Sequence, residues 1–273
     1  MGDGAGDPAR EEGLLVFGPA RGADTRGTIR RQSSGDAVQS VLAINGSPRR
    51  ERGNTASILN PFLDGMADSG CTVETIYTDR LQIGCCDCSE MVCWYKSPGR
   101  CYLRDDMDSI YPTLREAEVL VLATPVYVPL PGIMQNFLNR LCPLMEPRLS
   151  MRGGRTRARL RGGVKLRKIV GIVTSGWWER ANCDTVVRIF QELAEDIRVP
   201  LATVITRPHA GLMWDNGSLT EAGAKVVGAA RQAGEELATR GTVGRGTIRA
   251  ICRPLVSRRA YLEMASGWID RTA

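Results

Sequence analysis

The chain of 273 residues contains a single histidine, four phenylalanines and only 5% aromatic residues. That histidine, His209, stands far along the chain from other candidate ligands and reads as structural. No stretch approaches the roughly eighteen apolar residues that a membrane span needs. The first residues, Met1-Gly2-Asp3-Gly4-Ala5, lack the basic-then-apolar order of a secretory leader. A cytoplasmic protein without a membrane partner is therefore expected. There is no Gly-Lys-Ser/Thr and no G-x-G-x-x-G at the first glycine-rich turn, which excludes the common nucleoside-triphosphate loop and the dinucleotide fingerprint. Aromatic residues do not interleave with the basic ones, so a nucleic-acid partner is not expected.

What is present is a net charge of +6 and nine cysteines. Much of the charge is local, with nine basic residues between positions 148 and 168. That run is expected to be a solvated basic loop, or else a surface for a phosphorylated nucleotide or an acidic partner. Five cysteines crowd into residues 85–101. In a reducing compartment such crowding points to metal or redox chemistry more than to disulfides. Cys71, Cys142, Cys183 and Cys252 are scattered, and each is expected to behave as a small buried apolar residue.

Hydropathy patterning organises the rest. Short apolar runs at 41–44, 119–123, 169–173 and 201–205, with the alternating 73–77, are expected strands. Between them lie helical stripes: Ile58, Leu59, Phe62, Leu63 and Met66; Met107, Ile110, Tyr111 and Leu114; Ile133, Met134, Phe137 and Leu138; Val186, Phe190, Leu193 and Ile197; and residues 219–237. Asp105-Asp106 is expected to cap the second of these, and Pro61 and Pro112 sit awkwardly inside the first two. Five strands alternating with helices predict a doubly wound, five-stranded parallel sheet with helices on both faces. The expected division is a disordered extension over 1–37, one domain over 38–240 with a cysteine-rich insertion at 83–104, and a tail over 241–273.

A glycine-rich turn between the first strand and the first helix is an anion site by construction. Amides at a helix start have no intrahelical partner, and the helix dipole favours negative charge there. Here the turn carries Asn45-Gly46-Ser47-Pro48-Arg49 and Gly53-Asn54-Thr55. Ser47 and Thr55 offer hydroxyls, Asn54 an amide, and Arg49 a charge able to make paired bonds to a phosphate.

These two segments resemble the FMN-phosphate motif of the NAD(P)H-dependent FMN reductases and their iron–sulfur flavoprotein relatives, which are flavodoxin-like. The spacing between the halves is about one residue longer than usual, which leaves Arg49 and Arg50 both open as the phosphate arginine. Thr124-Pro125-Val126-Tyr127 is similar to the family's proline–tyrosine loop beneath the flavin ring, and Asn139-Arg140 stands where an Asp-Arg pair is common. Thr174-Ser175-Gly176 is similar to the loop at the ring's other edge. The resemblance implies FMN bound by Ser47, Arg49, Asn54, Thr55, Pro125, Val126, Tyr127, Thr174, Ser175 and Gly176. It also implies NAD(P)H as reductant, a small-molecule electron acceptor or a protein electron donor, and a homo-oligomer. The flavin itself carries the reaction, so no side chain is named as catalytic. Tyr127 and the Trp177-Trp178 pair stand open between stacking on the ring and ordinary packing.

Cys85-x2-Cys88-x4-Cys93-x7-Cys101 places four thiols on one turn-rich segment, with Cys86 as a fifth. Four thiolates suit a [4Fe–4S] cluster or tetrahedral zinc. The segment resembles the compact cysteine motif of the iron–sulfur flavoproteins, although the gap between Cys88 and Cys93 is longer than theirs. The metal expectation is therefore Cys85, Cys88, Cys93 and Cys101 holding [4Fe–4S], with zinc and unmetallated thiols left open.

Overall fold

The computed structural model describes residues 40–272, with side chains to Gly267; the extension expected over 1–37 lies outside the described residues. Strands β1 (Ser40–Asn45), β2 (Thr72–Tyr77), β3 (Val119–Pro125), β6 (Lys168–Thr174) and β7 (Leu201–Arg207) form one sheet in the order β2-β1-β3-β6-β7, and each neighbouring pair runs parallel. This is the flavodoxin-like doubly wound order, whose switch point lies between β1 and β3.

Both faces of the sheet are covered because consecutive side chains of a strand point opposite ways. Leu42, Ile44, Leu120, Leu122, Ile169 and Val173 meet α2 (Met107–Glu116), α3 (Gly132–Asn139) and α4 (Asp184–Ile197) on one side. Val41, Ala43, Val119, Val121, Val170 and Ile172 meet α1 (Ala56–Asp68) and α5 (Glu221–Arg240) on the other. A strand buried on both faces must read as a continuous apolar run, as 119–123 does. Helices α1 and α5 pack so closely that a Cβ at Gly65 would stand 2.1 Å from the Arg231 carbonyl oxygen, and one at Gly234 1.9 Å from that of Phe62.

Both awkward prolines prove to lie inside their helices, Pro61 in α1 and Pro112 in α2. An interior proline costs about 3 kcal/mol. Full burial of Ile58, Leu59, Phe62 and Met66 offsets that cost in α1, and burial of Met107, Ile110, Tyr111 and Leu114 offsets it in α2.

The basic run is not a loop. It folds as a hairpin, β4 (Met145–Arg152) and β5 (Arg155–Leu160), turning at Gly153-Gly154, both with positive φ. Its arginines are largely spent on structure. Arg157 is buried against Glu192, Glu195 and Asp196 of α4, Arg155 pairs with Glu192, and Arg152 donates to the carbonyls of Glu195 and Asp196 at the helix end. The Gly-Gly turn between alternating residues was the available signal.

The expected tail forms α6 (Arg245–Cys252) and α7 (Arg258–Thr272). Ile251 is buried in the core beside α5, and Tyr261 is buried as well.

Candidate functional site

Three strand-end loops meet at the carboxyl edge of the sheet. The Gly46 amide donates to the Ala123 carbonyl (2.7 Å), the Val126 amide to the Thr174 carbonyl (2.8 Å), and the Thr55 and Thr174 hydroxyls share a bond of 2.8 Å. The loops after β1, β3 and β6 are therefore tied pairwise. All ten residues expected around FMN lie on them.

The first loop is shaped by its own polar groups. Asn45, fully buried, accepts the Ser47 amide on Oδ1 (2.9 Å), and Ser47 Oγ accepts the Arg49 amide (3.3 Å). A Cβ at Gly53 would stand 2.4 Å from Ser47 Oγ, so any larger residue there displaces the Ser47 hydroxyl. Arg50 has positive φ, and its guanidinium is held by Asp79 at 2.7 Å. Arg49 is exposed and makes no ion pair among the described residues. Of the two arginines left open by the sequence, Arg49 is thus the unengaged one.

The buried Asn45 Nδ2 has no hydrogen-bond partner. A buried unpaired donor costs about 1–3 kcal/mol. This donor stands at the end of β1, on the turn to α1 that also carries Ser47 and Thr55. The donor set of amides, hydroxyls and a free guanidinium matches a phosphate.

The other two loops present a different surface. Pro125 and Val126 are half-buried, while Tyr127 and Val128 are exposed. Thr174 and Ser175 are buried, and Gly176 and Trp177 are exposed. Each of these two loops thus carries one exposed aromatic side chain, Tyr127 and Trp177, able to meet the face of a planar ring. Trp178 instead packs inward, stacked on the His209 ring at 11° between planes, with its indole N–H donating to the Val256 carbonyl (3.0 Å). For Trp178 this is ordinary packing; Trp177 is exposed.

His209 is structural, as expected. It is buried, and its Nε2 accepts from the Leu255 amide (3.0 Å) and faces Arg207 Nη2 (3.0 Å). Because Nε2 must accept, the ring proton sits on Nδ1 and donates to the Trp178 carbonyl (3.3 Å). Burial and then the Arg207 charge push its pKa down to about 4.

The cysteine segment is pinned by a buried ion pair that the sequence did not reveal. Arg140, 1% exposed, binds both oxygens of Asp105 (2.6 and 3.0 Å) and also donates to the Gly84 carbonyl (3.1 Å). Burial works against the Asp105 carboxylate, but bonds from Arg140, the Gly84 amide and the Met107 amide hold its pKa below the ordinary range. Asp105 therefore braces the insertion more than it caps α2. Asn136 Nδ2 adds a bond to the Ile83 carbonyl (2.9 Å).

Cys142 is half-buried and is tied to the cysteine segment through its backbone. The Trp94 indole donates to its carbonyl (3.1 Å), and Arg161 bridges the carbonyls of Cys93 and Met145. Burial, followed by the neighbouring Cys142, Cys88, Cys101 and Cys86 thiols, pushes Cys93 up to about 12. Burial and the thiols of Cys86, Cys88 and Cys101 push Cys142 up to about 11. Cys85 and Cys86 are exposed, Cys88, Cys101 and Cys142 half-buried, and Cys93 buried. Cys93 and Cys142 are 49 positions apart, and nothing local links them. Among the described residues, no group of three or more Cys, His, Asp or Glu side chains has metal-holding geometry. As they stand, the thiols do not fit a four-ligand cluster.

The family model for NADPH-dependent FMN reductase matches residues 40–191. An iron–sulfur flavoprotein of Archaeoglobus fulgidus is 34% identical over 105 residues, which is 38% of this chain and 46% of that protein. One from Methanocaldococcus jannaschii is 36% identical over 88 residues, 32% of this chain and 43% of that protein. The match thus spans less than half the length of these relatives. Among solved structures, the NAD(P)H:quinone oxidoreductase from Methanothermobacter marburgensis shares the fold, with a TM-score of 0.55 at 15% identity over 74% of this chain and 98% of that one. With more than half of its residues covered by the family model, and the loops that carry the resemblance gathered on one edge, this chain belongs to the NADPH-dependent FMN reductase family.

Proposed function

We propose that this protein is an FMN-dependent oxidoreductase that takes electrons from NAD(P)H and delivers them to a small acceptor such as a quinone or a flavin. The observation that carries the reading is the unpartnered Asn45 amide, buried in a loop whose Arg49 is free while Arg50 is engaged. In this reading Ser47, Arg49, Asn54 and Thr55 hold the phosphate, with Asn45 Nδ2 as an added donor. Pro125, Val126, Tyr127, Thr174, Ser175 and Gly176 hold the ring through backbone groups, and Tyr127 and Trp177 offer aromatic faces. Bound FMN supplies hydride acceptance and release at the ring, a reaction no side chain of this chain performs. The protein's part is to orient the ring, keep water from one face and tune its electronics with fixed amides. We place the protein in the cytoplasm as a homo-oligomer. No helix of the described residues is long and apolar enough to cross a membrane.

The test is direct. Purified protein should bind FMN with a visible flavin spectrum and oxidise NADH or NADPH when a quinone is supplied. A protein that binds no flavin overturns the reading. An electron carrier with a [4Fe–4S] cluster is the second reading. It draws on the five cysteines within residues 85–101 of the sequence and on relatives that are iron–sulfur flavoproteins, and it requires the thiols to rearrange from the positions they hold here. Iron analysis of anaerobically purified protein decides it, since a carrier contains about four irons per chain and turns over no quinone of its own.

A further inference from the structure

The C-terminal segment lies beyond the stretch matched by the family model, yet it is bonded to the third loop of the site. Buried Arg207 at the end of β7 donates to the carbonyls of Ile251 (2.7 Å) and Arg253 (2.9 Å). His209 accepts the Leu255 amide, and Trp178 reaches the Val256 carbonyl. These bonds lay residues 251–261 alongside the loop after β6. At the end of this stretch the buried Tyr261 donates its phenolic hydrogen to the Gly176 carbonyl at 2.9 Å.

That bond matters because of what a peptide plane enforces. In a trans peptide the carbonyl and the following N–H point in opposite directions. Holding the Gly176 oxygen inward therefore turns the Trp177 N–H outward. The next carbonyl is also held inward, since Trp177 O accepts from the His209 amide (2.8 Å) and from Ser175 Oγ (3.3 Å). No protein acceptor takes the Trp177 N–H among the described residues. Apart from its two chain neighbours, nothing lies within 4 Å of a Cβ built at Gly176. Burial and the nearby Glu179 push the Tyr261 phenol up, which keeps it a donor.

We propose that Tyr261 is a positioning residue for the cofactor: through the Gly176 carbonyl it aims the Trp177 N–H at the ring bound on this edge. The proposal rests on the FMN reading above. A donor fixed at the rim favours the more electron-rich reduced ring, so it raises the midpoint potential as well as the affinity.

The experiment uses the full chain and three proteins: wild type, Tyr261→Phe and Trp178→Phe. Tyr261→Phe keeps the ring packing and deletes only the hydroxyl. Trp178→Phe deletes a different anchor of the same segment and leaves the Gly176 carbonyl bound. FMN affinity is measured by titration, the midpoint potential by dye equilibration, and folding by thermal melting of the apoprotein. Tyr261→Phe is expected to weaken FMN binding about three- to tenfold and to lower the potential, with Trp178→Phe leaving the potential in place. An unchanged potential and affinity in Tyr261→Phe, or equal shifts in both variants, overturns the proposal. Wild type that binds no FMN would instead remove the reading on which it rests.

Discussion

Acidification should destabilise this protein through one residue whose contribution can be isolated. His209 is the chain's single histidine, so its proton NMR resonance needs no assignment in untagged protein. In the fold it is neutral, with Nε2 facing two donors, and burial with the Arg207 charge holds its pKa at about 4. An unfolded imidazole titrates near 6.5. Between these values the unfolded chain binds a proton that the native protein does not, so stability falls as pH falls through that window. Linkage puts the loss between pH 7 and pH 5 at about 2 kcal/mol, and at about 3 kcal/mol below pH 4. His209→Gln retains an acceptor for the Leu255 amide and does not titrate. Urea denaturation of both proteins from pH 7.5 to pH 4.5 should show a steep wild-type decline from which the histidine's share is missing in the variant. A native imidazole titrating near 6.5, or identical slopes for the two proteins, would refute the account of this network.

Other perturbations follow from the same contacts. Arg49→Ala should weaken FMN binding about ten- to a hundredfold by deleting a charge-assisted bond, whereas Arg50→Ala, whose charge is already engaged by Asp79, should cost several-fold less in the same titration. Gly53→Ala should abolish most FMN binding, because its Cβ displaces Ser47 Oγ, while the melting temperature changes little. Arg140→Met strands the Asp105 carboxylate and should destabilise by about 3–5 kcal/mol. With its cation gone, the carboxylate keeps only the Gly84 and Met107 amides against the effect of burial, so its pKa rises and the variant's stability should decline less steeply than wild type as pH falls through the acid range.

Much of this protein is legible in its sequence, and the reasons are local. A strand covered on both sides has no polar face, so 41–44, 119–123 and 169–173 announce themselves as continuous apolar runs, and helical stripes such as Val186, Phe190 and Ile197 announce the layers over them. The glycine-rich turn and the two later strand-end segments are contiguous motifs, and parallel connections bring such ends to one edge of a sheet. Local chemistry reaches its limit where a residue's role depends on a distant partner. That Arg50 is engaged by Asp79 while Arg49 is free, that the basic run folds into a hairpin against the acidic face of α4, and that Arg140 braces the cysteine insertion through Asp105 are matters of packing. The thiols show the same division. Their number and crowding are written in the sequence, but that the Trp94 indole of this segment bonds the Cys142 carbonyl, 48 positions away, is decided by packing. The short-range pattern therefore determined the layers and the loops. Tertiary structure alone decided which charges, thiols and amides remain free to meet a ligand, because that freedom is whatever the long-range contacts leave unpaired.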